Sequence, residues 1–247
     1  MMDKVKGVAW IVVAMALLSF VPEKPAKEPF TLVELFTSEG CSSCPLADEL
    51  LDEMTGILRK EGKQVVGLAF HVTYWDRLGW KDPYSDSLFT VRQKKYVELL
   101  QVPRPYTPQA VVNGQSEFVG SNPFQFRELV TAVCEQEQAF SVSGKATRQD
   151  DLLQVDFQST RTSGSIAMYA ALVEKSIEHF VPRGENKSRT LKHYNVVRSL
   201  VSTDLTASGK LMFRLPEGMK PENSEVVLFA QHKKNLRVMA GARLPIE

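Results

Sequence analysis

The sequence predicts an α/β class: a strand-helix-strand domain over residues 30–140, followed by a β-rich, sandwich-like region over residues 141–247. Three observations support this. Thr31 to Thr37 (TLVELFT) mixes β-branched and aromatic residues and ends in a glycine-containing turn, the pattern of a buried strand. Pro45 to Lys60 carries Leu46, Leu50, Leu51, Met54 and Leu58 at helical spacing, and after Gly62 the run Gln64 to His71 (QVVGLAFH) reads as a second strand. From Ser141 onward the texture changes to short strand-like runs separated by polar turns.

Taken in order, Lys4 and Lys6 precede an apolar run from Val8 to Val21, which matches a secretory signal over residues 1–21. The run is shorter than the roughly 20 residues a bilayer core requires. A cleaved signal is therefore the first reading, with an uncleaved anchor kept open because no small-x-small pair precedes Pro22. Prolines and charges in residues 22–29 predict a linker. Strand, helix and strand over 31–71 form a parallel βαβ unit, with Pro45 suited to the first helical turn. In such a unit the loop from His71 to Pro83 lies on the same sheet edge as the turn at Cys41. A helix near Leu88 to Leu100 follows, then a strand at Ala110 to Val112, an Asn113-Gly114 hairpin turn, a strand at Ser116 to Val119, and a helix from Phe124 to Gln138. Beyond it, strands are expected at Leu152 to Gln158, Ser165 to Glu174, Lys210 to Leu215 and Glu225 to Gln231.

A chain of 247 residues, 43% hydrophobic, can bury a sizeable core. Its net charge of +1 and pI near 7.7 supply no basic field for nucleic acid or an anionic membrane surface, so membrane contact is expected only through an uncleaved anchor. Three cysteines, two of them at C-x-x-C spacing, do not form the even, dispersed pattern of a disulfide scaffold.

Cys41-Ser42-Ser43-Cys44 is the chemical centre. Two thiols on the first turn of a helix reach disulfide distance easily, and the turn's unpaired N–H groups stabilise a thiolate. Cys41, at the exposed entrance, is expected to be the reactive sulfur, and Cys44 the resolving one. A zinc site needs four ligands and no second C-x-x-C exists, so neither metal nor cofactor is assigned. Glu34, in the first strand, is either a buried general base for the dithiol or a solvent-facing edge residue. Thr107-Pro108 precedes a short strand, and in a dithiol fold such a proline is commonly cis, turning backbone toward the sulfurs. The loop after the second strand gathers His71, Tyr74, Trp75, Asp76, Arg77, Trp80, Lys81 and Asp82, either as a binding surface or as a cover for the sheet end. A loop carrying Glu185, His193 and Arg198 is expected to fold back over the cysteine turn. Cys134 reads as a buried, inert thiol.

The motifs Val33-Glu34-Leu35-Phe36-Thr37-Ser38-Glu39-Gly40-Cys41-Ser42-Ser43-Cys44-Pro45 with Ala47-Asp48, His71-Val72-Thr73-Tyr74-Trp75-Asp76, Gly79-Trp80-Lys81-Asp82-Pro83, Arg92-Gln93 and Tyr106-Thr107-Pro108-Gln109 closely resemble a bacterial family of secreted thioredoxin-like proteins catalogued as a domain of unknown function. The likeness continues through Gly184-Glu185-Asn186, Leu191, His193 and Asn195-Val196-Val197-Arg198. It implies a thioredoxin-like domain with a dithiol at Cys41 and Cys44 and a β-rich companion region. Leu46, where the family often has a second proline, and Thr73, where Asp is common, depart from the pattern without touching a sulfur. The expected function is an extracytoplasmic thiol-disulfide oxidoreductase, periplasmic or anchored by its N-terminus, acting on protein thiols or disulfides or on a small thiol and reset by a redox partner. Its catalytic set is Cys41, Cys44, Glu34 and Pro108, with His71, Tyr74, Trp75, Asp76, Trp80 and Thr107 holding the substrate. Two alternatives stand beside it: a soft-metal module binding Cu(I), and a thioredoxin-like binding protein without exchange activity.

Overall fold

The computed structural model describes residues 29–247, so the signal or anchor over 1–21 and most of the linker lie outside the described residues. The chain folds as a mixed α/β protein, mostly strand, with one eight-stranded mixed sheet and one three-stranded sheet. Its first half comprises β1 (Phe30–Thr37), α1 (Cys44–Lys60), β2 (Gln64–His71), a 3-10 turn (Thr73–Leu78), α2 (Ser87–Leu99), β3 (Gln109–Val112), β4 (Ser116–Val119) and α3 (Pro123–Cys134). The second half adds β5 (Val142–Gln149), β6 (Leu152–Ser159), β7 (Ser163–Val181), β8 (Arg189–Leu205), β9 (Ser208–Arg214), β10 (Ser224–His232) and β11 (Val238–Pro245).

β1 and β2 are parallel neighbours joined by α1, in the register Thr37 to His71. β3 pairs antiparallel with the other edge of β1 and is followed by β4. Asn113 and Gly114 both take positive φ in the turn between them, as the hairpin signal requires. A Cβ on Gly114 would stand 2.0 Å from the Leu236 carbonyl oxygen, so only glycine fits there.

Side-chain alternation divides β1. Leu32 and Phe36 pack with Phe89 and Tyr96 of α2, whereas Val33 and Leu35 pack with Ala47 and Leu51 of α1 and Phe126 of α3. The disulfide-bearing helix is therefore on the Val33 and Leu35 face.

The division at 140/141 marks a real change of texture, but not a boundary between independent cores. Four strands of the second half continue the same sheet, in the order β11-β10-β7-β8-β2-β1-β3-β4, with Ala69 of β2 meeting Val196 of β8. Ala171, Val173, Val197, Val227 and Phe229 enter the same hydrophobic cluster as Phe36, Phe70 and Tyr96. Within the second half the small sheet β5-β6-β9 shares a hydrophobic cluster with the large one, Leu153, Val155, Phe157 and Phe213 joining Met168, Leu172, Val226 and Leu228. Sequence reading missed β5, β8 and β11 and stopped β7 too early. The β7-β8 hairpin, of 19 and 17 residues, is the longest feature of the fold.

Among the described residues no helix is long and apolar enough to cross a membrane.

Candidate functional site

β1 ends at Thr37 and the chain turns through Ser38 to Ser43 before α1 begins at Cys44, with Pro45 in its first turn. Cys41 N–H donates to the Ser38 carbonyl at 3.1 Å, and Cys44 N–H to the Cys41 carbonyl at 3.2 Å. Cys41 and Cys44 are joined as a disulfide with their Cα atoms 5.4 Å apart. Ser42 and Ser43 are exposed, whereas Cys41 and Cys44 are 1% and 0% exposed. The expected exposed position of Cys41 is thus corrected: its residue is buried beneath the tip of the β7-β8 hairpin and beside Trp75. Glu185 accepts a hydrogen bond from Ser42 N–H at 3.0 Å, and Asn186 Nδ2 donates to the carbonyls of Glu39 at 2.9 Å and Cys41 at 3.0 Å. Arg189 in turn donates to Asn186 Oδ1 at 2.7 Å. A Cβ on Gly40 would stand 3.0 Å from Trp75 Cβ, so the glycine lets the aromatic loop close on the turn.

A buried polar cluster lies beneath the turn, centred on Glu39. Trp80 Nε1 donates to Glu39 Oε2 at 2.7 Å, while His179 Nδ1 and His193 Nε2 lie 2.8 and 3.1 Å from Oε1. His193 also reaches Asp48 of α1 through Nδ1 at 3.3 Å. Burial works against a charge on His193, but hydrogen bonds to Asp48 and Glu39 and their charges prevail and raise its pKa to about 9. It is an imidazolium at neutral pH, bridging a carboxylate before the cysteine turn to one on the helix after it. Asp82 forms the other arm. Burial alone would raise its pKa, but His71 at 2.7 Å and the backbone N–H groups of Glu39 and Tyr84 lower it to about 2. As Asp82 is ionised, His71 Nδ1 carries the proton and donates. Asp48 Oδ1, His71 Nε2 and Thr37 Oγ1 are buried with no hydrogen-bond partner among the described residues.

The structure redistributes the sequence-based site. Glu34 is buried, so the solvent-facing alternative fails. The general-base role is also corrected: Glu34 points to the α2 face and is consumed there by Arg92 and by the Tyr96 hydroxyl. Arg92 also donates to Gln231 at 3.0 Å and lies over the rings of Phe70, Tyr96, Tyr169 and Phe229. The acidic residue on the disulfide's side is Asp48, four positions after Cys44 on α1. The Thr107-Pro108 bond is cis, and Pro108 and Ala47 of α1 both approach Gly120. Thr107 accepts from the Trp75 indole at 2.8 Å, tying the aromatic loop to the cis-proline turn.

His71 and Asp76 do not face an incoming substrate. His71 is buried against Asp82, and Asp76 accepts from Asp82 N–H and from the Ser85 hydroxyl. Trp80 is anchored on Glu39 and is half-buried, as are Tyr74, Trp75 and Asp76, whereas Arg77, Leu78, Gly79 and Lys81 form the exposed part of the loop. Glu185 and His193 reach the site from the second half, as expected of that segment, Glu185 from the loop that joins β7 to β8 and His193 from β8 itself. Arg198 pairs with Glu174 and lies 5.2 Å over the Tyr84 ring. Sequence reading held Glu39 and Asp48 in its motif without giving either a role, and missed Tyr84 and His179. Asp48 was findable from its helical spacing to Cys44; His179 had no local signal. Cys134 is buried within 3.3 Å of the Thr31 hydroxyl, away from the site. No group of three or more His, Cys, Asp or Glu suited to a metal ion occurs among the described residues.

An Agrobacterium tumefaciens protein solved by X-ray crystallography is similar over 89% of this chain and 96% of its own, with 26% identity and a TM-score of 0.65. A domain of the outer membrane lipoprotein Omp28 from Porphyromonas gingivalis is similar over 44% of this chain and 95% of its own, with 14% identity and a TM-score of 0.28. No curated protein matches the sequence. The model of the family described as "Protein of unknown function (DUF1223)" matches residues 32–231, and the chain belongs to that family.

Proposed function

We propose that this protein is an extracytoplasmic thiol-disulfide oxidoreductase built on a thioredoxin-like arrangement of β1, α1, β2, α2, β3, β4 and α3. The observation that carries the proposal is the Cys41-Cys44 disulfide at the start of α1, beside the cis Thr107-Pro108 turn. The charged and apolar N-terminal stretch supports export, to a compartment where disulfides persist.

The reaction is two-electron exchange. A partner's thiolate attacks Cys41 Sγ, the Cys41-Cys44 bond breaks, and Cys44 leaves as a thiolate that takes up a proton. A second partner thiolate then attacks the partner sulfur of the mixed disulfide, releasing Cys41 as a thiolate and the partner as a disulfide. Two electrons pass to this chain, and the same steps reversed, starting from the Cys41/Cys44 dithiol, reduce a partner disulfide to a dithiol and restore the Cys41-Cys44 bond. Asp48, one helical turn from Cys44 and with Oδ1 unpartnered among the described residues, takes the proton-exchanging role first sought in Glu34. Lifting of the hairpin tip carrying Glu185 and Asn186 admits the partner.

Burial of both cysteines favours one second reading, a binding protein whose disulfide is structural. Equilibration with glutathione redox buffers, with disulfide content read by thiol alkylation and mass, separates the two. A reversible two-electron transition lost in Cys41→Ser is expected. A disulfide that stays closed across the glutathione range under native conditions would overturn the proposal.

A further inference from the structure

A cavity of about 570 Å3 opens at the end of the sheet away from the disulfide. Its walls come from both halves of the chain: Phe30, Val65 and Val66 at the starts of β1 and β2, Arg59 at the end of α1 and Lys63 in the turn after it, Val142 of β5, and Ala242 and Arg243 of β11. This size suits a small organic ligand, and a junction between structural units is a common place for one.

The lining is chemically divided. Phe30, Val65, Val66, Val142 and Ala242 supply apolar surface, whereas Arg59, Lys63 and Arg243 supply three cations. The side chains of Arg59 and Lys63 make no hydrogen bond or ion pair with a described residue. Arg243 directs Nε and Nη2 to Glu225 at 2.7–3.2 Å, and its Nη1 is left over. Burial and the neighbouring Arg243 both work against the charge on Arg59, and Asp52 and Glu225 offset this only in part. Guanidinium groups held together beside apolar walls are stabilised when an anion lies between them.

We propose that this cavity binds an anionic ligand, a carboxylate or phosphate carried on a small apolar body, with Arg59, Lys63 and Arg243 meeting the anionic group and Phe30, Val65, Val142 and Ala242 the remainder. The inference does not depend on the redox reading, because no cavity residue belongs to the disulfide site.

Phenyl phosphate is the test probe, titrated into the full chain by calorimetry and amide NMR at ionic strength held constant with chloride. Saturable binding is expected, with shifts at Val65, Val142 and Ala242 and weaker binding of inorganic phosphate. Arg59→Gln should weaken it roughly tenfold or more and Lys63→Gln severalfold, both variants melting like the parent. Cys41→Ser should bind unchanged, which separates failure here from failure of the redox proposal. In a parallel arm, capture on phosphatidylglycerol vesicles that is lost in Arg59→Gln assigns the site to a lipid headgroup; phenyl phosphate binding without vesicle capture assigns it to a free molecule. Absence of saturable binding in both arms, or binding unaltered in folded Arg59→Gln and Lys63→Gln, would overturn the proposal.

Discussion

His193 shows how one side chain governs the geometry of the cysteine turn. It lies 3.1 Å from Glu39, two residues before Cys41, and 3.3 Å from Asp48, four residues after Cys44. Its pKa rises from 6.5 to about 9 on folding, so its charge stabilises the fold fully below about pH 6.5, and that contribution is lost as pH rises through 9. Urea midpoints measured from pH 6 to 10 should therefore fall across this window, and His193→Gln should flatten the fall. Asp82 has the opposite sign: its contribution is present above 3.8 and lost as pH drops through about 2. Glu34 makes a separate prediction. Glu34→Ala strands the buried Arg92 guanidinium and should cost about 3–5 kcal/mol in chemical denaturation. The milder Glu34→Gln should leave the redox midpoint unchanged; a shift would return Glu34 to the site. The cysteine pair was legible because its chemistry is local in sequence. Glu34 was legible as a buried acid, but its partners on α2 were not, since strand alternation alone cannot say which face meets which helix.

At the level of elements, the β7-β8 hairpin is what sequence reading lost. Its strands carry His179, His193 and Ser176 amid exposed polar residues, so the apolar alternation that marks a half-buried strand fades toward the tip. The βαβ unit, by contrast, was readable almost to the residue, because β1 and β2 are continuous apolar runs and α1 keeps helical spacing. Glu185 and Asn186 hold the turn through three hydrogen bonds, at least one of them solvent-exposed. Asn186 makes two of them, each worth about 1 kcal/mol, so Asn186→Ala should populate the open tip roughly thirtyfold more. Amide hydrogen exchange at Ser42 and Cys44 reports this directly, and unchanged exchange would show that the tip is not what covers the turn.

Across the whole molecule, the two halves share a core and a site. Arg92 of α2 is bound by Glu34 of β1 and by Gln231 of β10, and His193 of β8 is bound by Glu39 and Asp48. The division at 140/141 was visible in composition, but the shared sheet was not, because β8 meets β2 through residues more than a hundred positions apart. One cooperative thermal transition is accordingly expected for the chain, and residues 30–140 alone should fail to fold; a stably folded fragment would refute the shared core. The central claim is that Cys41-Cys44 is a working redox pair lidded by the second half. The rate at which dithiothreitol reduces this disulfide in the folded chain tests it most directly, compared between wild type and Asn186→Ala. Native-state reduction that accelerates roughly thirtyfold in the variant agrees with a lidded redox site. Reduction that occurs only on global unfolding, at one rate in both proteins, would make the disulfide a structural staple and contradict the account.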